Sequence, residues 1–434
     1  MQSMSPRDPL LQNENKSMSK QSSEGTNKVV PESGGSPVGP LGVAWKEWAI
    51  GVGVSLMAGV GFGFAMQKAQ VYDPETVREQ FGYKNWIMVK MFAAALSMSL
   101  LSLSAISLVA PSRFGKAMKG AWTNDRGTVS AFLGGVMIGT GGFVLAGSCP
   151  GTVWAQLGAG VTTAPLTFAG AVVGALLYGA VHPYLSGAAR GQAPGSRGAG
   201  DEEAGEGQEE AVAPFNFLTW GQPTIPTLDK ALGVPYVALA LPMGVMIGVL
   251  AVVLEIVVPA ADDLLPGTSV NDGNVFTSTA WPATAAGSVI GAMQIPMVLL
   301  AGKTLGASTS FVIILSSLLH IVLPERFMEA PALAYFKAKH ALTKTGFQMF
   351  FVLAVIIGSL VSATASSTHG DVHGVRGYQA FLGGAIMLFG ARLGGGCTSG
   401  HGLSGVAKLQ FASFASVVGM FGAGSGMGVV WFYG

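Results

Sequence analysis

The chain has two cysteines in 434 residues, Cys149 and Cys397, and each sits in a turn of small residues. The first turn reads Gly147-Ser148-Cys149-Pro150-Gly151-Thr152 and the second Gly395-Gly396-Cys397-Thr398-Ser399-Gly400. Two cysteines make no disulfide framework. A glycine-rich turn that opens a short helix exposes several backbone N–H groups at the positive end of the helix dipole. Together these hold an anion without a formal charge. The hydroxyls of Ser148, Thr152, Thr398 and Ser399 add donors, and glycine lets the backbone approach closely. A thiol adds a weak, polarisable S–H donor. That is a poor choice for nitrate or phosphate and a sensible one for an anion that presents a soft sulfur atom. A lone cysteine is more often a small buried apolar residue; two at matching places in apolar turns favour a functional reading.

Other residues could contribute. His401 follows Cys397 by four positions, the spacing of a soft-metal pair, but the first turn has no counterpart. His401 therefore reads as a residue that orients the second turn or borders an exit, and no metal site is expected. Gln67 and Gln294 are polar positions in apolar stretches and serve either as substrate contacts or as interhelical links. Arg392 either attracts an anion or anchors at the interface. Glu255, Asp262 and Asp263 read as solvated groups at the end of an apolar stretch. No base stands beside a nucleophile or metal cluster, so an enzyme is not expected, nor is a cofactor.

The elements that must position these turns follow from composition. Half of the residues are apolar and only 11% are charged, against about 25% charged in soluble domains. The chain is too poor in charge to clothe a soluble surface of this length. Its net charge of +1 implies no nucleic-acid partner. A polytopic helical protein in a lipid bilayer remains. Residues 1–44 are polar and rich in Ser, Gly and Pro, the composition of a disordered tail. Residues 187–232 read as a polar, acidic linker. These divide the chain into a first transmembrane half, 45–186, and a connector helix plus second half, 233–434.

A bilayer-spanning helix needs about 20 apolar residues. Nine candidates appear: 45–67, 88–110, 128–146, 164–186, 233–258, 283–302, 346–365, 377–394 and 411–432. Residues 127–189 hold no Asp, Glu, Lys or Arg. After two spans, the apolar remainder around Cys149 is too short for a third and too apolar for an ordinary loop. A re-entrant segment fits, as it does at 305–323 and 394–405. With the N-terminus in the cytoplasm, nineteen of the 24 Lys and Arg fall on the inner side, as expected of inner loops. The cell membrane is the expected location.

The halves also resemble each other. Arg126-Gly127 precedes Ala131-Phe132-Leu133-Gly134-Gly135, and Arg376-Gly377 precedes Ala380-Phe381-Leu382-Gly383-Gly384; a cysteine turn follows each. Upstream, Ala65-Met66-Gln67 matches Ala292-Met293-Gln294. Five crossings separate the two copies, so the second is inverted. Inverted repeats with broken helices are a transporter architecture, with binding near the midplane. The two turns would dip from opposite faces and meet there.

At these residues the chain resembles the YeeE/YedE sulfur-transport family. The resemblance rests on 147–152, on Gly395-Gly396-Cys397-Thr398-Ser399-Gly400-His401-Gly402, on Val71-Tyr72-Asp73-Pro74 after Gly61–Gln67, and on Ala301-Gly302-Lys303-Thr304-Leu305-Gly306. It implies short helices pointing inward from both faces and thiosulfate passed between central cysteines by S–H···S contacts. Cys149 and Cys397 match those positions. Several members use a third cysteine; this chain has none, and Ala307-Ser308 stand at the corresponding turn. The expectation is a permease that imports thiosulfate or a related small inorganic sulfur anion. The alternatives are a transporter of soft metals or selenium compounds, or a membrane partner that hands sulfur to a cytosolic sulfur-handling protein.

Overall fold

The computed structural model describes residues 45–122, 127–186 and 216–434, apart from 222, 224, 271, 325, 327–329, 331–332 and 341–346. The tail expected at 1–44 and the Gly-rich, acidic stretch 187–215 lie outside the described residues. Among the described residues there is no β-strand; one isolated antiparallel bridge joins Thr227 and Gln410.

The first half runs α1 (Trp45–Lys68), α2 (Pro74–Phe81), α3 (Ile87–Val109), α4 (Pro111–Trp122), α5 (Thr128–Met137), α6 (Thr152–Ala159) and α7 (Ala164–Leu185). After α5 the helix continues to Ala146 with a π-helical winding. The connector is α8 (Tyr236–Val257). The second half runs α9 (Ala283–Ala292), α10 (Gln294–Ala301), α11 (Ser308–Val322), α12 (Phe347–Ala365), α13 (Gly377–Leu393), a π-helical turn Thr398–Gly405, and α14 (Phe411–Tyr433). A short helix, Ala334–His340, precedes α12.

Eight helices are long and apolar enough to cross a bilayer, α9 and α10 counting as one. A ninth is counted where α13 and the π-helical turn after it, bent from it by 43°, are taken together as one broken span. These spans fall where the apolar runs predict them. The interruption at Met293 between α9 and α10 has a local cause: Pro296 has no N–H to offer the Ala292 carbonyl. In the first half, two short helices lie outside the apolar runs. In α2 the Asp73 carboxylate caps the helix, accepting from the Thr76 N–H at 2.7 Å and its hydroxyl at 2.8 Å, with Pro74 in the first turn. The other, α4, carries Lys116 and Lys119.

Glycines let backbones touch. A Cβ on Gly170 of α7 would lie 1.9 Å from the Phe381 carbonyl oxygen of α13, and one on Gly384 of α13 would lie 2.2 Å from that of Thr167. The same mutual fit holds α1 to α12, where Gly63 faces Val355 and Gly358 faces Val60. No side chain fits such spaces, so small residues define the interfaces. Helix α9 packs on α3, and α14 on α5. With α4 and the helix Ala334–His340 set aside, and with α9–α10 counted as one and the π-helical turn Thr398–Gly405 as a short element, each half repeats the order long, short, long, long, short, long, and each long helix takes its partner from the other half. A two-fold relation between halves has this pairing.

The connections sort onto two faces. On one, Lys68 Nζ donates to the Ser278 carbonyl at 2.6 Å, Tyr433 to Gly82 at 2.9 Å, and the Thr162 N–H to Val372 at 3.2 Å. On the other, the Leu228 N–H donates to Leu409 at 2.9 Å and the Tyr236 hydroxyl to Ala407 at 2.6 Å. Residues 216–232, the end of the stretch expected to be solvated linker, pack here; the Leu218 carbonyl accepts from Gly127 N–H and Ser130 Oγ at 2.9 Å each. The acidic groups after α8 differ from expectation. Asp263 is buried and its carboxylate lies 2.7 Å from Lys90 Nζ, with Glu255 at 3.9 Å. Lys90 is itself buried in α3 and needs a counter-charge, which draws both carboxylates inward.

Candidate functional site

The Cys149 turn is made by the end of one helix and the start of another. Gly147 ends the π-helical winding at φ +60, and a Cβ there would strike the Pro74 carbonyl at 2.3 Å. Only glycine fits. Gln156 of α6 then ties the turn down: its Nε2 donates to the Gly147 carbonyl at 3.0 Å, and its Oε1 accepts from Ser148 Oγ at 2.8 Å. Cys149 acts as the cap of α6. Its sulfur accepts from the Thr152 N–H at 3.3 Å and lies 2.9 Å from the Thr152 hydroxyl. Pro150 and Gly151 are buried beside it. This turn dips into the protein from the face that holds 68–87.

The Cys397 turn enters from the opposite face. Cys397 is fully buried, and its sulfur lies 3.3 Å from Ser399 Oγ. The Ser308 hydroxyl and the N–H groups of Gly400 and Ala307 stand around the same sulfur and act on it electrostatically. The sulfur thus stands at the start of two helical segments, the π-helical turn and α11. Arg392 approaches the same place. It is 6% exposed, its Nη2 donates to Ser308 Oγ at 2.6 Å, and its Nε has no hydrogen-bond partner. Thr398 is equally buried and its hydroxyl has no partner either.

Between the two turns lies a void of ≈ 40 Å³, lined by Cys149, Gly151, Thr152, Thr398 and Ser399. A Cβ on Gly151 would be 3.7 Å from the Cys149 sulfur and 3.9 Å from Ser399 Oγ. Gly151 thus stands beside both the Cys149 sulfur and Ser399, whose hydroxyl lies 3.3 Å from the Cys397 sulfur. The remaining wall is soft and apolar, with Met66, Met88 and Met91 among Phe62, Phe92 and Ile290. All of these are buried or nearly so. The void has room for a few water molecules at about 10–15 Å³ each.

Some expected residues stand elsewhere. Gln67 is buried, but its amide is consumed by Thr368 Oγ1 at 2.8 Å and by the Ser362 hydroxyl. Gln294 spends its amide on Ser404 Oγ at 2.9 Å and the Leu305 N–H at 3.3 Å. Both link helices to their neighbours. His401 points away from the void, with Nδ1 3.0 Å from Ser413 Oγ and Nε2 3.1 Å from the Gly394 carbonyl. Its ring fills the space that a Cβ on Gly396 would need, 2.8 Å away. His401 thus orients the second turn. Arg392 is interior rather than interfacial.

Sequence reasoning missed Gln156 and the three methionines. Gln156 was legible as the one amide in an uncharged run. Met88 and Met91 share a helix face by spacing, whereas Met66 joins them only through folding. Among the described residues, no three His, Cys, Asp or Glu side chains come together in a metal-binding group.

A comparison with curated proteins gives no match. The model of the family described as sulphur transport matches residues 68–426, well over half of the chain and both cysteine turns with it. The chain therefore belongs to the sulphur-transport family, as an integral membrane protein with several passes.

Proposed function

We propose that this sulfur transporter is a permease for thiosulfate or a related inorganic sulfur anion, moved past Cys149 and Cys397 in turn. One observation carries the reading: two thiol-bearing turns from opposite faces border one buried void in which a hydroxyl, Thr398 Oγ1, lacks a partner. A buried donor left unmade costs about 1–3 kcal/mol, and an anion in the void would satisfy it. The Arg392 guanidinium supplies positive charge behind Ser308. The thiols offer S–H donors to a terminal sulfur atom, while the Met66, Met88 and Met91 thioethers give a polarisable wall. Oxygen atoms of the anion would meet Thr398, Ser399 and the amides at the helix starts. The cysteine route runs inward from the face of 68–87, with the N-terminal face toward the cytosol, in keeping with the Lys and Arg distribution. In the closed form described, the side chains around the void must part for each passage.

The test is uptake of labelled thiosulfate, sulfate, sulfite and selenite by reconstituted vesicles. Cys149→Ala and Cys397→Ala each abolish thiosulfate uptake while the protein stays folded in the membrane. Normal uptake with either substitution would discard the cysteine route. Cys397→Ser is inactive if softness matters; full activity would mean that a hydroxyl suffices.

A further inference from the structure

A second cavity, of ≈ 280 Å³, opens on the face opposite the Cys149 turn. Its lining includes Lys116 from α4, Lys303 from the turn after α10, and Lys408 from the turn before α14. Thr304 and Gln348 complete the polar part of the wall, and Leu305 also lines it. Among the described residues no carboxylate lines it, and the ion pairs described there both involve Lys90. Lys303 Nζ instead sits over the Phe347 ring, 4.9 Å from its centre. Three cations drawn to one concavity repel one another, and that repulsion is a cost that an anion removes.

The cavity also adjoins the Cys397 turn. Leu305, in its wall, accepts at its carbonyl from Ser404 Oγ at 2.6 Å, and Ser404 belongs to the π-helical turn that Cys397 opens. Gln294 bonds both Ser404 and the Leu305 N–H. The lysine cavity and the buried sulfur site are thus two sides of one hydrogen-bonded partition.

We propose that the Lys116–Lys303–Lys408 cavity is a second anion site, for a free tetrahedral oxyanion such as sulfate or thiosulfate, on the opposite side of that partition from the void. It recognises charge and oxygen rather than sulfur, so it is less selective than the thiol turns. As the place where the transported anion waits next to solution, it rests on the permease reading; as a binding site it does not. Burial brings Lys408 down to about 8 and lowers Lys303 too.

The experiment measures inorganic sulfate binding by calorimetry to the full chain in phosphatidylcholine nanodiscs, in a Cys149→Ala/Cys397→Ala background that removes the thiols. Saturable binding is expected, weakened about tenfold or more by Lys303→Gln or Lys408→Gln, since a charge-assisted bond contributes about 1.5–3 kcal/mol. Lys303→Arg and Lys408→Arg retain it, which separates loss of charge from loss of fold. Binding that is absent, or equal in the Gln variants, overturns the proposal. So does a lysine effect that appears only when phosphatidylglycerol is added, because the occupant is then a lipid headgroup. Uptake separates the two readings. Lysine-dependent sulfate binding in a protein that transports no sulfur anion sinks the permease reading alone, and cysteine-dependent uptake with no sulfate binding sinks this one alone.

Discussion

Lys90→Met tests how the connector helix is held. Lys90 is fully buried at the start of α3, and its ammonium meets Asp263 at 2.7 Å, the Val258 carbonyl at 2.9 Å and Glu255 at 3.9 Å. Val258 follows the last turn of α8, so the cation also sits at the negative end of that helix. At an effective dielectric near 20, a charge pair 2.7 Å apart attracts by on the order of 6 kcal/mol, and desolvation offsets part of it. Apart from the lysine, neither Glu255 oxygen nor Asp263 Oδ2 has a polar partner. Removing the lysine therefore leaves two carboxylates facing a low-dielectric interior. The expected loss is about 3–5 kcal/mol, the range for breaking a buried pair from one side. Reversible unfolding in mixed micelles containing dodecyl sulfate measures it. Adding Glu255→Gln and Asp263→Asn to Lys90→Met recovers most of the loss. The two buried charges are then gone, and an amide oxygen at position 263 still accepts from the Trp86 N–H, as Asp263 Oδ1 does at 3.3 Å. A loss under about 1 kcal/mol for Lys90→Met alone, or no recovery in the triple variant, refutes the argument.

Thr398→Val removes a buried hydroxyl that has no partner, so stability stays level or rises by up to about 1 kcal/mol. Thiosulfate uptake falls in the same variant; unchanged uptake in vesicles would show that this hydroxyl is not a ligand. Lys408 is charged below about pH 8 and loses its charge above it. Sulfate affinity of the lysine cavity, whose other titratable lining groups are Lys116 and Lys303, therefore declines as pH rises through 8. Lys408→Arg flattens that decline, and a calorimetric titration from about pH 7 to 9 that shows no difference between the two proteins rejects the assignment.

The spans were legible because a bilayer imposes length and apolarity locally, and 45–67 or 411–432 satisfy both without reference to the rest of the chain. The cysteine turns stood out for a related reason: an apolar stretch too short to cross must fold back. What the sequence left open depended on distance in the chain. Gln67 and Gln294 looked alike whether they faced substrate or bonded neighbouring helices, since Thr368 and Ser404 are more than 100 residues away. Glu255 and Asp263 looked solvated until Lys90 was found opposite them. The methionine wall was invisible because Met66 and Met91 come from different helices. The break at Met293 was readable in principle from Pro296.

The glycine contacts restrict how such a molecule can work. Helix α1 is locked to α12, α9 to α3, α7 to α13 and α14 to α5, so each half is threaded through the other. Gly63, Gly170, Gly358 and Gly384 bring main chains together with no side chain between them to act as a bearing. Neither half can swing or slide as a rigid body without prying apart several of these seams at once. A rocking-bundle or elevator cycle would have to break these seams. On the permease reading, opening toward either solution is expected in the brief segments 147–160 and 394–410 and in the side chains that wall the void, rather than in the seams themselves.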